Sequence, residues 1–449
     1  MRIKLSGVIA FAPFALAAQL VGVSPYSSMG FGEQINGNSA RYLSIGGATS
    51  ATGDAYNINI GNPASYSRLA LTNFEAGVLS SSRNQQQGDI NIDNNYTTFN
   101  YIFFSFPLHR DVGLVLGVRP HTTRGFNISR NETFPGLAGQ DPIQSLTRLQ
   151  GSGGINNATI GVGWEPFQKG LSIGVNAHYF FGTNIDFVTT QLSNIPNSIS
   201  SRLEQEINYS HWQFQTGFQY HRKIGKLDYT LGGTYTFGNN INQNLSETLL
   251  SLRMGANRPQ PIDTIRIALD QRVEATLASA YTVGLQIGKF SEDNDYQYAW
   301  SITGDYHVHN MNEFFGGTSS GRNLLRGTYI QGSSIRGGAT IIPAYAFKKI
   351  RRSRAFWNRA EYRVGYFTDA GVLQLNETPI SSFGTSFGIG IALRNRSANI
   401  GEIRNNMINF TVVYGSMGTT ENNLVREQFT QFLIGITVSD KWFDKYKYR

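Results

Sequence analysis

The stretch that decides the fold runs from Phe383 to Leu393 and reads Phe-Gly-Thr-Ser-Phe-Gly-Ile-Gly-Ile-Ala-Leu. Most of its bulky residues fall on odd positions, and its glycines, serine and alanine fall on even ones. A β-strand directs successive side chains to opposite faces. This stretch therefore predicts a strand with one bulky, apolar face and one face of small or polar residues.

The same alternation recurs from about Leu71 to Val438. Between Leu171 and Tyr179, bulky residues alternate with Ser172, Gly174, Asn176 and His178. That second face is too polar for the core of a soluble sandwich, whereas an apolar exterior and a polar interior are typical of a transmembrane barrel. Because lipid leaves open sheet edges unsatisfied, such a sheet must close on itself. We predict an all-β fold, a transmembrane antiparallel β-barrel.

About 14 segments carry this pattern, and an even number brings both ends of a bacterial barrel to the same side. Short connections, such as Pro166–Gly170, alternate with long ones, such as Gly125–Gly154. Barrels of this kind have short periplasmic turns and long external loops, so we expect both termini in the periplasm of a bacterial outer membrane. The predicted strands are centred near Ala76, Tyr101, Leu116, Ile160, Val175, Phe214, Leu231, Tyr281, Ile302, Thr340, Tyr362, Ile389, Thr411 and Ile434.

The composition agrees with this class and excludes others. Charged residues make up only 15% of the chain, below the usual quarter. The chain has no cysteine, which excludes disulfides and a lipoprotein anchor. After residue 18 no run of 18 apolar residues occurs, so helical membrane spans are excluded.

The first residues resemble an export signal. Arg2 and Lys4 precede an apolar run, Val8–Leu16, and small residues up to Ala18 suit cleavage there. The alternative, a short membrane anchor, needs a longer run to cross about 30 Å of hydrocarbon. We predict a signal peptide over 1–18, an N-terminal plug over 19–70, the barrel over 71–439 and a basic, aromatic tail over 440–449.

The segment before the first strand lacks the strand pattern. Gly46-Gly47-Ala48 and Gly61-Asn62-Pro63-Ala64 demand turns. Two interpretations remain at this point. The segment is either a disordered leader or a plug that folds back into the lumen.

Asp54 followed by Asn62-Pro63-Ala64 resembles the lumenal hatch of the long-chain fatty-acid transporter family. That resemblance implies a 14-stranded barrel with an N-terminal plug, which moves hydrophobic small molecules across the outer membrane. Asp54, Asn62, Pro63 and Ala64 would then form the turn of the plug, or simply a turn that starts the first strand. Ser65 stands where the family usually has glycine. The stretch Ser24–Gly32 is also similar to the start of related Bacteroidota barrels, among them a shuttle subunit of the type IX secretion system.

Two predicted strands carry ionisable residues on one face. An ion that faced lipid would cost roughly 2–4 kcal/mol at the middle of the membrane, so these residues must face the lumen. They either contact the carboxylate head group of a ligand, which suits arginine pairs, or form a salt-bridge ladder that stiffens the wall. We expect no metal, because His307 and His309 lack a close third ligand. The residues are Asp305 and His307 on one strand and Arg359, Glu361 and Arg363 on the other.

A basic rim is predicted at the periplasmic end. Basic patches attract anionic partners, here the phosphates of outer-membrane lipids and lipopolysaccharide, or another outer-membrane or periplasmic protein. The plainer interpretation is a set of turns in water beside anionic head groups. Nucleic acid is implausible in the periplasm. The candidate docking residues are Lys348, Lys349, Arg351 and Arg352 in one short turn, and Trp442 and Phe443 in the tail.

No enzyme is predicted, and no cofactor. The chain has no nucleophile elbow, phosphate loop or metal-ligand spacing. Two functions remain: passive uptake of a hydrophobic small molecule through a plugged lumen, which the hatch resemblance favours, and an accessory or scaffold role in an outer-membrane secretion or barrel-assembly complex.

Overall fold

A computed structural model describes residues 24–135, 141–167, 169–192, 194–195, 198–254, 259–291, 298–313, 327–347, 355–393 and 406–440. Within these residues, 14 antiparallel strands form a closed barrel in which strands consecutive along the wall are hydrogen-bonded. Each predicted strand centre falls inside one of them, so the fold class is confirmed. The strands are β1 (Thr72–Gln87), β2 (Ile90–His109), β3 (Val112–Phe134), β4 (Ile143–Trp164), β5 (Leu171–Leu192), β6 (Ser200–Ile224), β7 (Leu227–Thr236), β8 (Ala280–Phe290), β9 (Tyr298–His309), β10 (Gly332–Ile341), β11 (Glu361–Asp369), β12 (Ser382–Ala392), β13 (Met407–Met417) and β14 (Arg426–Asp440).

The barrel closes between its first and last strands. β1 pairs with β14 without interruption from Thr72 opposite Asp440 to Gln86 opposite Arg426. Thr72 and Asp440 are direct partners, so both ends of the wall lie at the same end of the barrel. The ladder between β1 and β14 is therefore continuous where the barrel closes.

The two faces of the wall follow the predicted alternation. Val175 and Phe214 are each 50% exposed and point outward, toward lipid. Asn176, between the outward positions of β5, is fully buried and points into the lumen. The apolar exterior and the polar interior are therefore both confirmed.

The long connections differ from the prediction. Most continue the strands as paired ribbons, because antiparallel pairing satisfies their backbone groups. β1 and β2 meet at a tight turn after Gln87, and β3 pairs with β4 as far as Phe134 opposite Ile143. The long connection between β7 and β8 is a hairpin of strands Asn239–Met254 and Pro259–Leu277, whose first strand pairs with β6.

The wall is interrupted at one place. β2 pairs with β3 only from His109 opposite Val112 to Ile102 opposite Val118. Beyond that point β3 carries Pro120, which has no N–H, and its register with β4 shifts there. A short strand, Glu33–Gln34, pairs instead with Thr122 and Thr123 of β3. The chain before the barrel thus covers the interruption.

The remaining elements are short. None of the described helices is long and apolar enough to span a bilayer. The α-helices are Ala40–Leu43, Pro343–Ala346 and Phe356–Arg359, the 3-10 helices are Pro25–Ser28, Pro63–Arg68, Met311–Glu313 and Glu421–Asn423, and a small separate sheet consists of Gly327–Tyr329, Leu373–Leu375 and Thr378–Pro379.

Candidate functional site

The segment Ser24–Leu71, here called the lumenal segment, runs along the inner wall of the barrel. At its start, the Ser24 amide donates a 2.8 Å hydrogen bond to the carbonyl of Gly125, in the far half of β3. Near its end, Ser67 donates to Ser172, close to the beginning of β5. The segment therefore crosses from one end of the barrel to the other before β1 begins. The periplasmic location of the N-terminus stays a prediction, because the residues before Ser24 lie outside the described residues.

Inward glycines let the lumenal segment approach the wall. A methyl group on Gly174 would overlap the backbone of Pro63, and one on Gly365 would overlap that of Gly46. A methyl group on Gly217 would meet the side chain of Asn62. The alternation of glycine with bulky residues in the sequence is the local signal of this close contact.

Three of the predicted turn residues, Asn62, Pro63 and Ala64, begin one 3-10 helix. Asn62 caps the 3-10 helix Pro63–Arg68, because its side-chain oxygen accepts from the Ala64 amide at 3.0 Å. Pro63 occupies the first turn of that helix, where its missing N–H costs nothing. Ser65, which replaces the family's usual glycine, donates to the Asn62 carbonyl at 2.7 Å.

Asp54 lies outside this helix and binds other parts of the lumenal segment. One of its oxygens accepts from the Tyr56 and Asn57 amides at 2.8 Å each, and the other forms an ion pair with Arg41. Arg41 also pairs with Glu361 of β11 at 2.8 Å. The two carboxylates together hold the Arg41 guanidinium between the lumenal segment and β11.

Asp305 of β9, two strands from β11 along the wall, also anchors the lumenal segment. It is buried, and its carboxylate accepts from the backbone amides of Thr49 and Ser50 at 2.6 and 2.8 Å. The Ser50 hydroxyl donates to its other oxygen. Its neighbour His307 shares hydrogen bonds with Thr282 and with His309.

The predicted charges of β11 divide into two groups. Glu361 and Arg363 are buried in the lumen, where Arg363 donates to Ser44 of the lumenal segment at 3.2 Å and to Asn409. Arg359 does not share their face, because β11 begins only at Glu361. It ends the short helix Phe356–Arg359 and is exposed. Its predicted position on the lumenal face is therefore wrong.

A second anchor was not found from the sequence. Arg83 of β1 pairs with Glu33 of the lumenal segment and, at 2.8 Å, with Glu427 of β14. The Ser24 hydroxyl donates to Glu427 at 2.8 Å. Further along, Arg124 of β3 pairs with Asp186 of β5 at 2.6 Å and donates to three carbonyls between Ser27 and Gly30. The inward parity of these charged positions is the signal that reveals them.

The candidate docking residues cannot be placed. Lys348, Lys349, Arg351, Arg352, Trp442 and Phe443 all lie outside the described residues, as does the predicted signal peptide.

The charged side chains of the lumen therefore share one role, which is to contact the lumenal segment. Asp305, Glu361 and Arg363 each contact the lumenal segment directly or through its ion pairs. Their polar atoms are engaged in holding that segment against the wall. Among the described residues no group of three potential ligands is placed to hold a metal ion.

Solved outer-membrane proteins share this architecture. A FadL homologue of Pseudomonas aeruginosa matches with a TM-score of 0.56 and 11% identity, over 92% of this chain and 100% of that one. The toluene transporter TodX of P. putida matches with a TM-score of 0.53 and 14% identity, over 91% of this chain and 99% of that one. No curated protein sequence matches the chain. At these identities the likeness is one of fold.

The fold and the packed lumen define the chain as a multi-pass outer-membrane β-barrel with a FadL-like fold. The model of one family, BamG, matches residues 2–449. The chain therefore belongs to the BamG family. Its narrower likeness to Bacteroidota barrels and to the type IX shuttle subunit stays a prediction.

Proposed function

We propose that the chain is a non-catalytic subunit of an outer-membrane barrel-assembly machine, in which it acts as a sealed scaffold. Membership of the BamG family supports an association with barrel assembly. The observation that carries the sealed scaffold is the lumenal segment, which is tied to β9 by Asp305 and to β11 by Arg41. A lumen occupied in this way favours a structural role over a channel.

The seam between β1 and β14 supports the same role. A barrel that templates new strands must expose a free edge, and lipid makes an unpaired edge costly. Here the seam is paired along its whole length, and the ion pair of Arg83 with Glu427 reinforces it. We therefore propose that this barrel supports a partner protein in barrel assembly and does not itself template new strands.

Affinity purification from native membranes tests the association. The tagged full-length chain, extracted in mild detergent and cross-linked beforehand, is expected to recover other outer-membrane assembly proteins in fixed ratio. Recovery as a lone barrel at every cross-linker concentration contradicts the proposal. An unrelated tagged outer-membrane barrel, treated identically, controls for non-specific capture.

A second function, passive passage of hydrophobic compounds, is favoured by the interruption between β2 and β3. There the wall lacks strand pairing beyond Ile102 and Val118, and the lumenal segment covers it. Displacing that segment would open a path from the lumen to lipid. Uptake of a labelled fatty acid or of toluene by cells with and without the protein tests this function, and equal uptake contradicts it.

A further inference from the structure

One lumenal arginine lacks the partner that comparable arginines have. Val118 is 43% exposed and faces outward, so Arg119, the next residue of β3, faces the lumen. Its Nε is buried and has no hydrogen-bond partner among the described residues. Four other lumenal arginines each form an ion pair with a carboxylate: Arg41, Arg83, Arg124 and Arg363.

Two imidazoles, His121 and His178, lie near this unpaired cation, and a third, His211, lies near His121. His121 lies within electrostatic range of Arg119, His178 and His211, and its ring packs on Phe180 with centroids 4.6 Å apart. His211 stacks on the same Phe180 ring at 5.0 Å. The Nδ1 atom of His211 is buried without a partner among the described residues.

Among the described residues, the groups that contact this cluster supply no negative charge. On β4, the residue paired with Arg119 is Asn157, which contacts the His178 ring at 3.3 Å. On the side of the lumenal segment, Gly37 packs against the aliphatic part of Arg119. The cluster therefore carries a net positive charge that the surrounding side chains leave uncompensated.

A buried guanidinium N–H without a partner, such as the Nε group of Arg119, is unfavourable, and a guanidinium is well suited to bind an oxyanion through two parallel N–H groups. We propose that Arg119, with His121 and His211, forms a lumenal binding site for one small oxyanion, a phosphate or a carboxylate group. A neutral imidazole donates through one ring nitrogen, so the histidines add donors without adding charge.

The walls of the site limit the size of its ligand. Below it, Tyr66 donates to Asn176 at 3.0 Å, and Asn176 donates to the Ile60 carbonyl. Above it, the ring of Phe31 packs edge-on against Tyr209 at 5.1 Å. Tyr66 lies near Arg119, and the Phe31 ring lies 6.4 Å from the His211 ring, so packed side chains border the site and favour a compact anion over a long-chain one. It is independent of the scaffold role proposed above.

Thermal unfolding of the purified full-length chain tests the site. In detergent and chloride buffer of constant ionic strength, added inorganic phosphate or acetate is expected to raise the unfolding midpoint in a saturable way. Saturation with phosphate alone identifies a phosphate site, and saturation with both identifies a general oxyanion site. A rise that stays linear with concentration, as excluded salts produce, overturns the proposal.

Variants assign the effect to Arg119. Arg119→Gln is expected to weaken anion binding about tenfold or more, the loss of one charged hydrogen-bonding group. Arg148→Gln removes an exposed arginine of β4 and serves as the matched control.

Without added anion, Arg119→Gln is expected to be at least as stable as wild type, since it removes an unpaired charge. A saturable rise that persists in Arg119→Gln overturns the proposal. If that variant does not fold, Arg119→Lys keeps the charge but loses the planar fork, and unchanged binding by it overturns the proposal as well.

Discussion

At the scale of single residues, the polar groups of the lumen act in pairs whose members come from different parts of the chain. Asp305 and Ser50 are 255 residues apart and bind through a backbone amide at 2.8 Å. Arg41 and Glu361 are 320 residues apart. Each such pair connects the lumenal segment to one strand of the wall, so its loss loosens the segment at a defined place.

Asp305 gives the sharpest test of these anchors. Replacing it by alanine leaves two buried amides of the lumenal segment unsatisfied, and we expect a loss of about 3 kcal/mol in the free energy of unfolding. Asp305→Asn keeps a carbonyl oxygen that accepts from the same amides, so it should lose less. Urea-induced unfolding from lipid vesicles measures both. Equal unfolding midpoints for Asp305→Ala and wild type would show that Asp305 does not anchor the segment.

At the scale of elements, the strands could be predicted because each carries its own period-two pattern. β12 can be recognised from Phe383–Leu393 alone. The long ribbons could not be predicted in the same way, because their side chains have no lipid face to impose alternation. The hairpin Asn239–Met254 and Pro259–Leu277 exists through pairing with β6, which no local pattern encodes.

The same distinction between local patterns and long-range pairing decides which parts of the candidate site could be predicted from the sequence. Asn62 and Pro63 were recognisable because a cap and a first-turn proline are local features. The inward direction of Asp305 and Glu361 followed from the cost of charge in lipid. The anchor of Arg83 with Glu33 and Glu427 could not be predicted, because it depends on the closure of β1 against β14. Arg359 was misplaced because the start of β11 could not be read to within two residues.

The fit between the 3-10 helix and β5 makes a prediction at this scale. Gly174→Ala adds a methyl group where Pro63 packs, so the helix must move away from the wall. We expect a clearly lower thermal midpoint of unfolding. The midpoint is measured as the temperature of prior heating at which the band of the folded barrel disappears from an SDS gel. Gly304→Ala is the matched control, because its methyl group meets only the Arg336 carbonyl, at 3.9 Å. Equal midpoints for the two variants would refute close packing at Gly174.

At the scale of the whole molecule, the barrel differs from an empty cylinder because the lumenal segment packs against its inner wall. Inward glycines, the Asn62 cap and the anchors from Asp305 and Arg83 all act on one continuous segment. The same segment covers the interruption between β2 and β3. The lumenal segment and the wall are thus joined by contacts at several strands.

Ion conductance tests whether the lumen is closed. The purified chain, inserted into planar bilayers, is expected to show no steady open conductance, because the lumenal segment occupies the passage. A general porin inserted under the same conditions serves as the control. Stable channel openings by the wild-type chain would contradict a sealed lumen.

The most direct test of the scaffold claim locks the segment in place while the cell builds its outer membrane. Ser67 and Ser172 face each other with their hydroxyl oxygens 2.9 Å apart, and the chain contains no other cysteine, so Ser67→Cys with Ser172→Cys provides a unique disulfide. The measurement is the rate at which pulse-labelled barrels enter the outer membrane of cells depleted of the wild-type chain, with each single-cysteine variant as control. We predict that depletion slows insertion and that the oxidised, locked chain restores it fully. Insertion that is indifferent to depletion, or that the locked chain restores only after a reductant is added, would contradict the account.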